Sequence, residues 1–319
     1  MTKATSKIVA AVCGADTRIG NRLAKKLPEQ HIGVLPRPMS WAMDSSVKTI
    51  QEYLSTKSPT VVYNCLMDPD GGDEPYSALS YAAATLGMLN YCRKHGARYV
   101  HVSSSRVYGP TDRPETGNTY SEYDSVLLGG DDPWRRLIAA AERHVMSQTM
   151  FANPYAISHM SPHFGFYVAR FGHVISFDEL NCDRYSEVMP LACCLKLASQ
   201  QNIELTCDAP DALLSPVSVE FAADCLVDLA RPACMAPYGF YNIGSSDQVT
   251  LRQVCLLIAR HFGYFTTFTS PGKPGRDKAV YGLDANQAVC SDWWVGRGMR
   301  KVPSWKAAIK PLLSAPVYA

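Results

Sequence analysis

A continuous apolar run, Ile8 to Cys13 (IVAAVC), passes directly into Gly14-Ala15-Asp16-Thr17-Arg18-Ile19-Gly20 and then into NRLAKKL. A short run without polar alternation suits a strand covered on both faces, the situation of a strand in a parallel sheet. A glycine-bearing turn and a helix behind such a strand make the opening of an α/β unit, because parallel strands need crossover connections. The unit then repeats. His31 to Leu35 (HIGVL) reads as a second strand, Val47 to Leu54 as a helix and Thr60 to Cys65 (TVVYNC) as a third strand. A helix from about Tyr76 to His95 leads into a strand at Tyr99 to Val102, and another helix starts near Pro133. The expected fold class is α/β, a Rossmann-type doubly wound parallel sheet with a smaller C-terminal lobe.

The second half is more broken. Phe166 to Phe171 (FYVARF) suggests a further strand with an extended continuation over His173 to Phe177; Pro190 to Ser199 reads as helical and Ile203 to Cys207 as a short strand. A helix is expected over Glu220 to Leu229, a strand over Gly239 to Gly244, and a helix over Thr250 to Phe262 with Thr250 as its cap. A weaker helix follows at Trp305 to Leu313. The division expected is a dinucleotide-binding core over 1–174 and a mixed region over 175–319. Within the latter, 175–214 and 262–319 form a small substrate lobe and 215–261 returns to the core.

The glycine turn points to phosphate. Backbone can approach a pyrophosphate closely at a glycine, and a helix N-terminus offers N–H groups and a positive dipole end. Gly14 and Gly20 are in place, but Thr17 stands at the middle position, where a branched side chain narrows the approach. At the end of the second strand, where an acidic residue would bind ribose hydroxyls, the charge is Arg37, which suits a 2′-phosphate. NADP(H) is therefore expected over NAD(H), with the absence of any dinucleotide as the alternative.

Composition excludes several classes. A net charge of +2 gives no electrostatic case for nucleic acid or an anionic membrane, and no apolar run reaches the roughly 18 to 20 residues of a membrane span. The 11 cysteines include no CxxC and no His/Cys cluster of zinc-like spacing, so no metal site is expected and the thiols read as reduced. MTKATSK leads straight into the first strand, which makes cytosol the expected compartment.

The most chemical stretch is Arg98 to Met146, where the strand ends in Ser103-Ser104-Ser105 and a later helix presents Trp134 and Ile138 on one face. Strand ends of this kind are where open α/β sheets place their sites. The pattern Ser-Ser-x-x-Val-Tyr-Gly over Ser103 to Gly109, Gly87 in ATLGMLNYCRKHGARYVHVSSSRVYG, the helix ending Ala141-Glu142, and FYNIGSSDQVTLRQV run in order along nearly the whole chain. Together they resemble the extended short-chain dehydrogenase/reductase family. That group includes nucleotide-sugar epimerases, dehydratases, dTDP-4-dehydrorhamnose reductase and the β regulatory subunit of methionine adenosyltransferase. Asn64 and the chain length lean to the reductase and regulatory-subunit branch.

The resemblance implies that Ser104 hydrogen-bonds the substrate oxygen, with a tyrosine opening the following helix as proton carrier and a lysine four residues on. A tyrosine, with pKa about 10, is a poor base at neutral pH unless a neighbouring cation stabilises its phenolate. Counted back from Glu142, those positions are Trp134 and Ile138, and the family's supporting asparagine corresponds to Ala84. The expectation is a dinucleotide-binding member kept as a regulatory or scaffold subunit. One alternative is an oxidoreductase or epimerase/dehydratase-like enzyme that uses Ser104 with a relocated donor, from Tyr120, Tyr123, Asp132 or His144, and Arg135 in place of the lysine's charge; Tyr108 reads as structural. Another is a non-redox lyase or isomerase. The cofactor set expected is Gly14, Thr17, Arg18, Ile19, Gly20, Arg37, Asp44, Leu66, Met67 and Ser103. Ser104, Ser105 and Arg276 are expected to meet a small-molecule or nucleotide-linked substrate. The family's pairing through the helices near Tyr76 and Pro133 implies a homodimer, or a hetero-partner if the chain is regulatory.

Overall fold

The structure is a computed structural model that describes residues 8–30, 32–37, 47–67, 78–108, 119–126, 133–150, 165–176, 205–207, 210–231, 239–263, 268–269, 279–281 and 288–314. The chain runs β1 (Val9–Cys13), α1 (Arg18–Glu29), β2 (Gly33–Arg37), α2 (Val47–Lys57), β3 (Val61–Asn64), α3 (Ala78–His95) and β4 (Arg98–Ser104). A 3-10 turn, Ser105–Tyr108, follows, then α4 (Pro133–Met150), β5 (Phe166–Phe171), β6 (Val174–Ile175), β7 (Leu205–Cys207), β8 (Leu213–Leu214), β9 (Val217–Ser218) and α5 (Val219–Ala230). The last elements are β10 (Gly239–Ile243), β11 (Val249–Thr250), α6 (Leu251–Phe262), β12 (Phe268–Thr269), β13 (Ala279–Tyr281), α7 (Asp292–Gly296) and α8 (Trp305–Leu313).

The central sheet has six parallel strands in the order β10-β5-β4-β3-β1-β2. Strand order reverses between β1 and β3, so their carboxyl ends flank the switch point where such sheets take ligands. Two cores cover the sheet. On one face α1 and α5 pack over Val12, Val100, Val102 and Phe171. On the other, α2, α3 and α4 pack over Ala11, Val62, Tyr99 and Val168. The apolar runs in the sequence follow from this double coverage: every residue of β3, β4 and β5 is buried.

Helix boundaries follow cap chemistry. Thr250 caps α6 in a reciprocal capping box with Gln253, and Gly263 ends the helix in the left-handed region at φ 69°. Ser218 and Ser304 cap α5 and α8 more simply, their hydroxyls accepting from the Phe221 and Ala307 N–H groups. The second strand lies two residues later than the apolar pattern implies, which brings Pro36 and Arg37 inside β2. Among the described residues β2 is an edge strand, where a proline's missing N–H costs no ladder bond. The sequence reading also passed over α7, whose first turn carries Asp292 and whose Trp294 is buried against Tyr241. Beyond the main sheet, β7 pairs in parallel with both β12 and β13. The helix expected at Pro190 to Ser199 lies outside the described residues.

Among the described residues no helix is long and apolar enough to cross a membrane. Cys13, Cys65, Cys92, Cys225 and Cys255 are buried, and burial pushes the Cys65, Cys92 and Cys225 thiols above their ordinary range.

Candidate functional site

The loop after β1 is held closed by its own side chains. Gly14 takes φ +85°, and a Cβ there would lie 2.4 Å from the Cys65 carbonyl oxygen. At Gly20 a Cβ would lie 1.9 Å from the Gly14 oxygen. Both glycines are therefore required by the approach of backbone to backbone. Thr17 takes extended φ and ψ as the N-cap of α1, and its hydroxyl accepts from the Gly20 N–H at 3.1 Å. The same hydroxyl lies within donating distance of the Gly14 carbonyl, at 2.8 Å, and of the Cys65 carbonyl, at 3.0 Å. Thr17 thus stitches β1, β3 and α1 together at the switch point. It also takes up one of the helix-start amides that a phosphate could otherwise use.

Arg18 reaches across to the Val174 carbonyl, 3.4 Å away, and Ile19 is buried in the core. Leu66 and Met67 are buried at the end of β3. Arg37 ends β2 opposite Cys13 in the sheet register, which places its backbone at the strand terminus beside the loop. Asp44, Asp132 and Arg276 lie outside the described residues. The cradle fits the phosphate end of a dinucleotide: a glycine-built turn at the switch point leads into a helix N-terminus, with a basic residue closing the neighbouring strand.

The serine end divides by strand alternation. Ser103 faces α4, where its hydroxyl donates to Glu142 Oε1 at 2.5 Å. Glu142 is in turn paired with Arg170 on β5, Nη2 to Oε2 2.7 Å, and both side chains are almost wholly buried. Arg170 also donates to the Tyr108 hydroxyl at 2.8 Å, which donates to Asn242 Oδ1 at 2.7 Å. Asn242 binds the 119–126 segment twice, through its backbone N–H to Glu122 Oε1 and its side-chain amide to the Tyr120 carbonyl. Burial raises the Glu122 pKa, an effect opposed by the Asn242 N–H. Arg170, Glu142 and Asn242 carry much of the polar architecture beneath the site, yet FYVARF and the Glu142 landmark offered only a charge inside an apolar strand and a lone acid on a small-residue helix stripe.

Ser104 points to the other face. It is buried, and its hydroxyl accepts from the Arg106 N–H at 3.3 Å, closing the turn after β4. The Ser105 hydroxyl is buried and has no hydrogen-bond partner among the described residues. Ile138 is 2% exposed and packs in the same apolar cluster as Val107 and Tyr108. Arg135 is buried, with Nε donating to the Arg106 carbonyl at 3.1 Å, so it supports the turn after the serines. Trp134 lies in the first turn of α4. Tyr120 stacks on Tyr108 at 4.7 Å between ring centres, while the Tyr123 ring is 79% exposed and meets Trp293 edge-on. His144 is on the α4 stripe that faces α3, beside Leu137 and Ala141. Ala84, expected from the resemblance to take the place of the family's asparagine, is in the core.

A second buried polar group, unread in the sequence, backs the same sheet face. His101 lies 3.1 Å from the Tyr99 hydroxyl, 3.3 Å from the Tyr81 hydroxyl and 3.4 Å from Asn64 Nδ2. Burial lowers its pKa to about 4, although the Glu142 charge pulls the other way. Asn64 also approaches Thr85 Oγ1 at 3.0 Å and holds the Leu66 N–H through Oδ1. It therefore joins α3 to the end of β3.

Residues 10–127 match the sequence model of the NAD dependent epimerase/dehydratase family. No curated protein matches the chain. Among solved structures it is similar to UDP-glucose 4-epimerase of Thermus thermophilus in complex with NAD, at 15% identity and TM-score 0.68, covering 97% of this chain and 98% of that one. It is similar to dTDP-4-dehydrorhamnose reductase of Bacillus anthracis in complex with NADP, at 14% identity and TM-score 0.66, covering 96% and 98%. A third likeness is to UDP-glucose 4-epimerase of Thermotoga maritima with UDP-glucose, at 15% identity and TM-score 0.69, covering 97% and 98%. Identities this low establish a shared fold.

Proposed function

We propose that this chain, whose residues 10–127 match the NAD dependent epimerase/dehydratase family model, is a dinucleotide-binding member of the extended short-chain dehydrogenases/reductases that has lost hydride-transfer catalysis and acts as a binding or regulatory subunit. The observation that carries this reading is Ile138. At the position of the lysine that would hold the nicotinamide ribose and lower a tyrosine's pKa, the side chain is apolar and buried in the cluster behind the serines. Proton transfer from a phenol at neutral pH needs a cation beside it, and an isoleucine packed there supplies none. Trp134, in the first turn of α4, offers an indole in place of the phenol.

A bound nicotinamide dinucleotide supplies or accepts hydride. What this chain contributes is a place for the phosphates at Gly14 to Gly20, with Arg37 favouring a 2′-phosphate and hence NADP(H). The neighbours bound to NAD, NADP or UDP-glucose support a nucleotide-linked second ligand near Ser104 and Ser105. The relocated-donor reading gains no support from the phenols considered for it: Tyr120 is stacked on Tyr108, and Tyr123 lies out on Trp293.

The test is a titration of the protein with NADPH and NADH by isothermal calorimetry, beside the variant Gly14→Ala. Saturable binding of NADPH, weaker binding of NADH and loss of both in the variant are expected. Absence of binding to either dinucleotide overturns the proposal.

A further inference from the structure

Beyond the carboxyl end of β10 lies a cavity of about 320 Å3, bounded by the loop into β11, Thr119, α7 and the segment between α7 and α8. Among the described residues β10 is an edge strand, three strand spacings from β3. At about 4.8 Å per spacing, the cavity sits on the order of 14 Å from the β1–β3 crevice. Its frame is tied by hydrogen bonds. The Ser246 N–H donates to the Pro303 carbonyl at 2.9 Å, the Cys290 N–H to the Tyr120 carbonyl at 2.8 Å, and the Gly244 N–H to the Ser291 hydroxyl at 2.8 Å. The cavity is therefore formed ahead of any ligand, and its size falls within the range of small-ligand sites.

The walls join an apolar side to two opposite charges. Val289, Val295 and Val302 form the apolar side, and no aromatic ring stands among the lining residues. Asp292 comes from the first turn of α7, and Lys301 from the segment behind that helix. Among the described residues the Lys301 ammonium has no ion-pair partner, and the Asp292 carboxylate meets the Cys290 thiol. Two opposite charges thus line one cavity without pairing to each other. Burial, seconded by Asp292, holds the Cys290 thiol above its ordinary range, so the cavity is not built around a thiolate. Gln248 adds a neutral amide at the exposed rim.

This set of groups selects by charge. A phosphate would find one cation and, beside it, an opposing carboxylate. A sugar ring would find no aromatic face to stack on. A zwitterion satisfies both charges at once, and charge-assisted hydrogen bonds are the strong ones. Three valines then leave room for an aliphatic side chain rather than a polar one.

We infer that this cavity is a second ligand site, which takes a free aliphatic α-amino acid with its carboxylate on Lys301 and its ammonium on Asp292.

The probe is L-leucine, titrated into the full chain by calorimetry at millimolar concentration. Beside it stand 4-methylpentanoate, which lacks the ammonium, 3-methylbutylamine, which lacks the carboxylate, and glycine, which lacks the side chain. Saturable one-to-one binding of L-leucine is expected, about ten-fold or more tighter than that of each of the three, since a lost charged hydrogen bond costs about that factor. Lys301 and Asp292 are both exposed, so Lys301→Gln and Asp292→Asn should keep the natural thermal midpoint while weakening L-leucine about ten-fold or more. In Lys301→Gln, L-leucine should bind no better than 3-methylbutylamine. NADPH titration should be the same in both variants as in the natural chain, so failure of the dinucleotide reading and failure of this one are told apart. No saturable binding of L-leucine, equal affinity for either singly charged compound or for glycine, or undiminished binding in both variants overturns the inference.

Discussion

Arg170→Met isolates the buried ion pair beneath the serines. The guanidinium lies 3.1 Å and 3.0 Å from the two Glu142 oxygens through Nε, and 2.7 Å from Oε2 through Nη2. It also donates to the Tyr108 hydroxyl and sits over the rings of Tyr108 and Phe240. Methionine keeps much of the apolar stem but leaves the Glu142 carboxylate buried, with the Ser103 hydroxyl as its remaining hydrogen-bond donor among the described residues. Removing one partner of a buried pair costs about 3–5 kcal/mol, most of it the stranded charge. At about 2 °C per kcal/mol for a chain of this size, the thermal midpoint should fall by roughly 6 to 10 °C. Urea unfolding should give the same loss with an unchanged m-value. The double variant Glu142→Leu, Arg170→Met removes both charges together and should be more stable than Arg170→Met alone. A loss below about 1 kcal/mol in the single variant, or a double variant less stable than the single, would refute a buried, mutually dependent pair.

Gly14→Ala must adopt a positive φ and meet the Cys65 carbonyl, so urea unfolding should show a loss of about 3 kcal/mol or more. Thr17→Gly removes the α1 cap and should cost about 1 kcal/mol, yet it clears the phosphate approach, so calorimetry should show tighter NADPH binding. His101 is held neutral in the fold, with its pKa lowered to about 4, while the unfolded chain takes up a proton near pH 6.5. Its contribution is therefore complete above about pH 6.5 and fades as pH falls towards 4, by about 3 kcal/mol in total. Urea midpoints measured across that window should drop in the natural chain and flatten in His101→Gln.

The sheet and the loop were legible because they rest on local chemistry. Ile8 to Cys13 has the unbroken apolar content of a doubly covered strand, Thr250 reads as a helix cap, and Gly14 and Gly20 bracket a turn; the structure adds the reciprocal bond from Gln253 and the exclusion of any Cβ at the glycines. Counting from Glu142 sets Ile138 at the expected lysine position, but its burial in the apolar cluster with Val107 and Tyr108 comes from the packing of α4 and could not be counted. What the pattern could not show was where charges in apolar stretches find their partners. Glu142 and Arg170 are 28 residues apart, on a helix and a strand, and only the packing of α4 on β5 brings them together. The same holds for Asn242, which ties β10 to the 119–126 segment more than a hundred residues earlier. The partner of a buried polar group is set by topology, to which the strand period is blind.

The central claim is that this chain binds a nicotinamide dinucleotide and does not exchange hydride with a second ligand. The direct measurement is a single-turnover experiment: protein saturated with NADPH is mixed with a panel of keto nucleotide sugars while the reduced-nicotinamide absorbance is followed. An unchanged absorbance, alongside calorimetric evidence that the dinucleotide is bound, is the predicted result. Stoichiometric oxidation of the bound NADPH, abolished by Ser104→Ala, would contradict it.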